Sequence, residues 1–198
     1  MFDKPARRYP IVAELLAIAV AFQGRLRVMD FGGALGSLYF QHRSYFDSIE
    51  EIKWGVVEQK SSVETGRTHV VDPNIEFHET IESCIASVKP DIVVATCVLQ
   101  HLSDPWGTLH ELLKASPKII IDRLPLINTD VDRLTVQNVN EKIYPASYPA
   151  WFFSRSNFNV VENYGYQILN EFESIDELEL DNLTLRTVGL VIQKKEVA

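Results

Sequence analysis

The sequence predicts an α/β fold, a doubly wound and mostly parallel sheet with an antiparallel edge strand at the C-terminus. Three observations carry that expectation. Up to Asp122, five short apolar runs alternate with stretches of helical period, and strands separated by helices need the crossover connections that build a parallel sheet covered on both faces. Two of those runs, Ile92-Val93-Val94-Ala95 and Ile119-Ile120-Ile121, are continuously apolar, as strands buried on both faces are. The first run closes on a glycine cluster, the punctuation of a tight turn between strand and helix.

Taken in order, Arg8 to Gln23 places Val12, Leu15, Leu16, Ile18, Ala19 and Phe22 at helical spacing, and Gly24 supplies the stop. Leu26 to Met29 reads as the first strand, followed by Asp30 and by Gly32, Gly33 and Gly36. A helix is expected over Leu38 to Phe46 and a second strand over Lys53 to Val57, which ends at Glu58. Ser61 or Ser62 caps a short helix before the strand Ile75-Glu76-Phe77. A helix from Thr80 to Val88, the strand Asp91 to Thr96, a helix from Asp104 to Ala115 and the strand Lys118 to Asp122 complete the alternation. Asp104 before Pro105 suits the N-cap of that last helix.

Beyond Asp122 the rhythm changes. An irregular stretch with Pro125, Pro145 and Pro149 runs to about Ser154, long for a connection and therefore a candidate functional loop, assigned here to residues 123–155. A helix is expected from Ser156 to Asn163. Two extended runs follow, Tyr166 to Phe172 and Arg186 to Gln193, separated by the acidic stretch Glu171 to Asp181 and suited to an antiparallel edge pair.

Length and composition narrow the function. A chain of 198 residues, 46% hydrophobic and 23% charged, fits one domain spanning 1–198 with an N-terminal helix in residues 1–24, and excludes disorder, collagen-like repeats and a disulfide scaffold. A net charge of −8 favours neither nucleic acid nor an anionic membrane as partner. The longest apolar candidate, Ile11 to Phe22, is too short for a membrane span and is interrupted by Glu14. With no signal-peptide pattern, a cytoplasmic protein is expected. Cys84 and Cys97 form no CxxC pair and read as buried reduced thiols; His69, His78 and Asp72 do not make a metal set, so a metal-free mechanism is expected.

The stretch Val28-Met29-Asp30-Phe31-Gly32-Gly33-Ala34-Leu35-Gly36 is the most informative. Its glycines let the chain turn sharply at the carboxyl end of a strand and let a ligand approach the backbone. Glu58 ends the second strand 22 positions beyond Gly36, near the offset at which an acidic side chain accepts hydrogen bonds from ribose hydroxyls. The two features together point to an adenosine-like ligand. The spacing is not G-x-G-x-x-G, which disfavours pyrophosphate and hence an NAD-dependent oxidoreductase. Asp30, two residues ahead of the first glycine and expected at the mouth of the site, suits a cationic ligand better than a phosphate. S-adenosylmethionine carries an ammonium and a sulfonium and no phosphate.

These residues resemble the first motif of the class I S-adenosylmethionine-dependent methyltransferases, Asp/Glu-x-Gly-x-Gly-x-Gly, with Ala34 in place of the middle glycine. The segment from Asp91 to Pro105 looks like that superfamily's fourth-strand region. Together with Arg123, Tyr144 and the run Tyr148-Pro-Ala-Trp-Phe-Phe-Ser, the chain from about residue 25 onward is similar to methyltransferases associated with bacterial surface-polysaccharide gene clusters. The resemblance implies a Rossmann-like domain that binds S-adenosylmethionine. Asp30, Phe31, Gly32, Gly33 and Gly36 would hold the methionine end with Thr96, Glu58 the ribose, and His78 and Glu79 the adenine, with Gln59 a further cofactor-binding residue. The acceptor implied is a small molecule, a sugar or polysaccharide precursor.

Methyl transfer is an in-line displacement, so catalysis is chiefly positioning, and a hydroxyl acceptor must also lose its proton. His101, in the turn after the fourth strand, is the first candidate base; it would equally serve as a packing residue of the next helix. Asp122 and Arg123 end the fifth strand, where Arg123 could bind a substrate anion and Asp122 could act as base or fix Arg123; a structural ion pair is the competing reading. Eight of the 20 aromatics lie between Tyr144 and Tyr166, and of these Tyr144 and Tyr148, each beside a proline, are expected to face the acceptor. The alternative function is a non-catalytic nucleoside-binding or assembly module on the same fold. A homo-oligomer is left open.

Overall fold

The computed structural model describes residues 7–139 and 145–196. They cluster into two compact units: the described part of Met1–Ala95 with Glu111–Ile120, and Thr96–His110 with the described part of Ile121–Ala198.

The first unit opens with α1 (Tyr9–Ala21), which has Pro10 in its first turn and buries Ile11, Val12, Leu15 and Ala19. Its Glu14 pairs with Lys118. β1 (Arg25–Phe31) leads through the glycine loop into α2 (Ser37–His42), shorter than the expected Leu38 to Phe46 because the chain tightens into a 3₁₀ turn at Arg43–Tyr45. Then come β2 (Glu51–Val57), α3 (Lys60–His69), β3 (Ile75–His78), α4 (Ile81–Val88) and β4 (Ile92–Thr96). α3 is preceded by Gln59, whose side chain makes no capping bond, so the serine cap expected at 61 or 62 is not used. α4 has a working cap: the Ser83 N–H donates to the Thr80 hydroxyl at 3.1 Å. β1 pairs in parallel with β2, from Arg25 opposite Glu51 to Phe31 opposite Val57, and with β4 from Val28 opposite Ile92; β2 pairs in parallel with β3. Leu26, Met29, Trp54, Phe46 and Ile92 are fully buried, each contributing roughly 1.5–3 kcal/mol of apolar transfer.

The expected helix beginning at Pro105 is α5 (Pro105–Ala115), and Asp104 caps it: the Gly107 N–H donates to Asp104 Oδ1 at 2.9 Å. β5 (Lys118–Leu124) runs from the first unit into the second. The hydrogen-bonded order of the large sheet is β3-β2-β1-β4-β5-β10-β9, with β9 (Tyr166–Leu180) and β10 (Leu183–Lys194) antiparallel to each other. The expected mostly parallel α/β sheet with an antiparallel C-terminal edge is therefore what the chain forms.

The second unit corrects three expectations. Residues 123–155 are not an irregular loop: they hold β6 (Leu126–Ile127), β7 (Arg133–Asn138) and β8 (Ser147–Ser154), a second sheet in the order β6-β8-β7. β7 hid because its alternation is inverted, with Arg133, Thr135 and Gln137 half-buried and Leu134 and Val136 more than half exposed. The acidic stretch 171–181 does not separate two strands. It is the body of β9, in which Glu171, Glu173, Glu177 and Glu179 share one exposed face while Ser174 and Asp176 share the other. Arg155 pairs with Glu171, and Arg186 with Glu173 and Glu177. The helix expected over Ser156 to Asn163 is a 3₁₀ helix, Arg155–Tyr164, stopped by Gly165 at φ +78°. Asp132 ties the unit together, accepting from the Trp106 indole at 2.7 Å, the Ser154 N–H at 2.7 Å and the Asn157 amide at 3.0 Å.

Candidate functional site

In the first unit the candidate ligand residues gather at the carboxyl ends of β1, β2 and β3. The loop after β1 is anchored where the Gly32 N–H donates to the Val57 carbonyl at 2.9 Å. Gly32, Ala34 and Gly36 all lie in the left-handed region, at φ +71°, +52° and +81°. Ala34, where the resembled motif has glycine, thus adopts a backbone that glycine takes without strain, at a cost of roughly 1–2 kcal/mol. Gly33 is needed for a different reason: a Cβ there would stand 2.5 Å from Asp30 Cγ.

Glu58 is the most directly placed residue. Its Oε1 accepts from the Ala34 N–H at 3.2 Å and its Oε2 from the Gln59 N–H at 2.8 Å, while its own N–H donates to the His78 carbonyl at 3.0 Å. Two backbone donors fix the carboxylate at the end of β2, beside the glycine loop. Each oxygen keeps acceptor capacity for further hydroxyls, since a carboxylate offers about four lone-pair sites.

Asp30 is not at the mouth of a site. It is only 1% exposed, lies under Gly33, and accepts from the Trp54 indole N–H at 3.0 Å. Its neighbours in sequence explain the difference: a strand end followed at once by a tight loop turns the carboxyl beneath the loop. Burial raises its pKa to about 7, the Trp54 bond offsets part of that rise, and the Glu58 charge adds to it. Phe31 is half-buried and Gln59 exposed. His78 is buried, with Nδ1 3.4 Å from Ser83 Oγ and Nε2 3.3 Å from Glu76 Oε1; Glu79 is exposed and 4.0 Å from Arg67. Cys84 is buried behind this region with its thiol pushed up to about 12 by desolvation; Cys97, expected to be buried as well, is only half so.

The acceptor candidates and Thr96 belong to the second unit. Thr96 is half-buried, and its hydroxyl finds no hydrogen-bond partner among the described residues. His101 lies in the 3₁₀ turn Leu99–His101 and Tyr148 on β8, and their rings meet edge-on at 5.2 Å. The His101 ring also bonds the Pro149 backbone. Desolvation lowers its pKa from the ordinary value, that backbone bond partly opposes it, and the Arg123 charge lowers it further. At neutral pH this imidazole is mostly uncharged. Tyr144 lies outside the described residues.

Asp122 and Arg123 reach different partners on β9. Asp122 is fully buried and accepts from Ser174 Oγ at 2.9 Å. Arg123 makes a forked pair with Asp176, Nη2 to Oδ1 being 3.0 Å. Adjacent strand residues ordinarily face opposite ways, yet Ser174 and Asp176 stand on one face of β9. The left-handed backbone of Arg123, φ +62°, breaks the alternation and sends both side chains to that face.

Gln100 was not among the residues singled out by sequence. It is 5% exposed, and its Nε2 donates to Cys97 Sγ at 3.4 Å and to the Arg123 carbonyl at 3.3 Å. The only sequence signal was its position beside His101.

No family model and no curated protein matches the sequence. Solved structures do match in fold. The N-terminal domain of EvdMO1 with SAH bound aligns over 93% of this chain and 81% of that one, at 16% identity and a TM-score of 0.56. Magnesium protoporphyrin IX methyltransferase (ChlM) from Synechocystis PCC 6803 with bound SAH aligns over 94% of this chain and 82% of that one, at 14% identity and a TM-score of 0.57. An S-adenosylmethionine-dependent methyltransferase from Clostridium acetobutylicum ATCC 824 aligns over 96% and 94%, at 10% identity and a TM-score of 0.56. The chain has the Rossmann-like fold of these proteins.

Proposed function

We propose that the protein is an S-adenosylmethionine-dependent methyltransferase acting on a small hydroxyl-bearing acceptor of the sugar or polysaccharide-precursor class. The observation that carries this reading is Glu58, held by the N–H groups of Ala34 and Gln59 at the end of β2, against a loop with three left-handed residues. That is a fixed acceptor suited to the hydroxyls of a ribose diol, beside a backbone that a ligand can approach closely. The solved proteins of the same fold include ones whose names state S-adenosylmethionine dependence or bound SAH, which supports the same ligand.

The residues present fit that cofactor. Glu58 would hold the ribose hydroxyls and the open backbone from Gly32 to Gly36 the methionine end, with Phe31, Gln59, His78 and Glu79 as further contacts. Asp30 would act from below the loop, as the support on which Gly33 rests. When bound, the cofactor supplies an electrophilic methyl group on a sulfonium. In the second unit His101, uncharged near neutrality, would take the proton of an acceptor hydroxyl at its free ring nitrogen, and the edge of Tyr148 would hold the imidazole plane. Arg123, committed to Asp176, would position the end of β5 and share its guanidinium with an acceptor only in part.

Calorimetry with S-adenosylmethionine tests the cofactor. Glu58→Ala should weaken binding by roughly tenfold or more, the effect of losing charge-assisted hydrogen bonds to two hydroxyls. Undiminished affinity in that variant overturns the ribose assignment. Turnover with sugar and sugar-nucleotide acceptors then separates an enzyme from a module that only binds.

A further inference from the structure

In the interior of the second unit, the polar groups of Gln100 are only half used among the described residues. The Gln100 amide is orientated by its nitrogen, which faces two acceptors, the Arg123 carbonyl and Cys97 Sγ. The planar amide then turns Oε1 away from both, and this oxygen is buried without a hydrogen-bond partner among the described residues. Interior acceptors of this kind are rare, because an unpaired one forfeits its hydration with nothing in return.

A second feature of the same place is backbone strain. Cys97 and Arg123, the two residues that Gln100 touches, both have non-glycine left-handed backbones, at φ +55° and +62°. They are also linked directly, the Cys97 N–H donating to the Asp122 carbonyl at 3.0 Å. Strained residues held together by mutual hydrogen bonds cluster where a chain presents groups to a ligand. The turn lies at the carboxyl end of β4 and leads into His101.

We propose that Gln100 Oε1 accepts a hydrogen bond from a hydroxyl of the methyl acceptor, which makes Gln100 the residue that selects hydroxyl-bearing ligands and sets their orientation next to His101. The proposal rests on the methyltransferase reading for the word acceptor, but the binding of a polyol at Gln100 stands or falls by itself. Gln100 is a positioning residue. It moves no proton, since an amide neither gains nor loses one near neutrality. Its nitrogen belongs to the scaffold and its oxygen to the ligand. Gln100→Met keeps the length and neither polar group, so the carbonyl resonance of the unmutated protein is what separates the ligand role from the scaffold role.

The probe is D-fucose, a neutral polyol, added at millimolar concentration to the full chain. Ligand-observed saturation-transfer NMR measures its affinity, and the side-chain carbonyl carbon of Gln100 is followed in protein labelled with [13C]glutamine. We expect that carbon to shift on addition of the sugar in the unmutated protein and Gln100→Met to weaken binding by roughly tenfold. An unmoved carbonyl resonance in the unmutated protein overturns the proposal whatever the variant does, as does equal affinity in Gln100→Met. Calorimetry with S-adenosylmethionine on the same samples reports on the cofactor independently: sugar binding without cofactor binding would retain the Gln100 assignment and remove the methyl-transfer reading.

Discussion

Replacing Asp30 by asparagine should stabilise the protein, and by an amount that depends on pH. The carboxyl is 1% exposed under Gly33, with one hydrogen bond from Trp54 and the Glu58 charge nearby. Its pKa of about 7, against an ordinary 3.8, means that the folded chain holds this proton far more tightly than the unfolded chain does. The stabilisation from that proton is therefore complete below pH 3.8 and is lost as the pH rises to about 7. The wild type should lose about 1.4 kcal/mol per pH unit across this window, about 4 kcal/mol in all, and then level off. Asparagine keeps the shape and the acceptor for the indole but never ionises. The variant should thus match the wild type near pH 4 and exceed its melting temperature by about 10 °C at pH 8, at 2–4 °C per kcal/mol for a chain of this size. Calorimetric melting of both proteins at pH values from 4 to 8 measures the difference. Trp54 fluorescence, titrated in the wild type, should report the same transition near pH 7. A stability difference that stays constant with pH, or shrinks as the pH rises, would refute the burial argument.

Three further outcomes follow from the geometry. Gly33→Ala drives a methyl group to 2.5 Å from Asp30 Cγ and should destabilise the fold by about 1–3 kcal/mol, read by urea denaturation; Gly33→Ala combined with Asp30→Ala should recover much of that loss. With His101 as base, kcat/KM should rise with pH through a midpoint below the ordinary imidazole value of 6.5 and then level off, and His101→Ala should reduce turnover by about 10²–10⁴. Tyr148→Ala, which uncovers the imidazole, should move the midpoint of that profile upward, whereas Tyr148→Phe should leave it in place.

Much of the first unit could be read directly from the chain because its signals are local. The run to Asp30, the glycines and the acid at position 58 sit on consecutive strands, and the parallel register of β1 with β2 makes them neighbours. The depth of Asp30 was not legible, since it depends on where Trp54 and Gly33 lie around it. In the second unit the sequence pattern misleads. β7 points its polar residues inward, and β9 carries so many carboxylates that it reads as a connector until Arg155 and Arg186 are seen to pair with them. His101 and Tyr148 were each singled out alone; that they touch is a property of β8, which no local pattern announced. Gln100 carries no sequence signal because a glutamine in a turn has no periodicity; its burial and its unpaired oxygen are properties of the folded chain.

The acidic face of β9 has a consequence for how copies of the chain meet. β9 is the outermost strand of the large sheet, and an open strand edge is a template on which another chain can add. Glutamates at every second position from 171 to 179, broken only by Ile175, would set like charges opposite one another if two such edges came together; Glu171, Glu173 and Glu177 pair with arginines, but Arg186 serves two of them, so negative charge remains in excess. Repulsion of this kind works before folding is complete as well as after. It gives the newly made hairpin a reason to close on β10 and to stay out of fibrous aggregates.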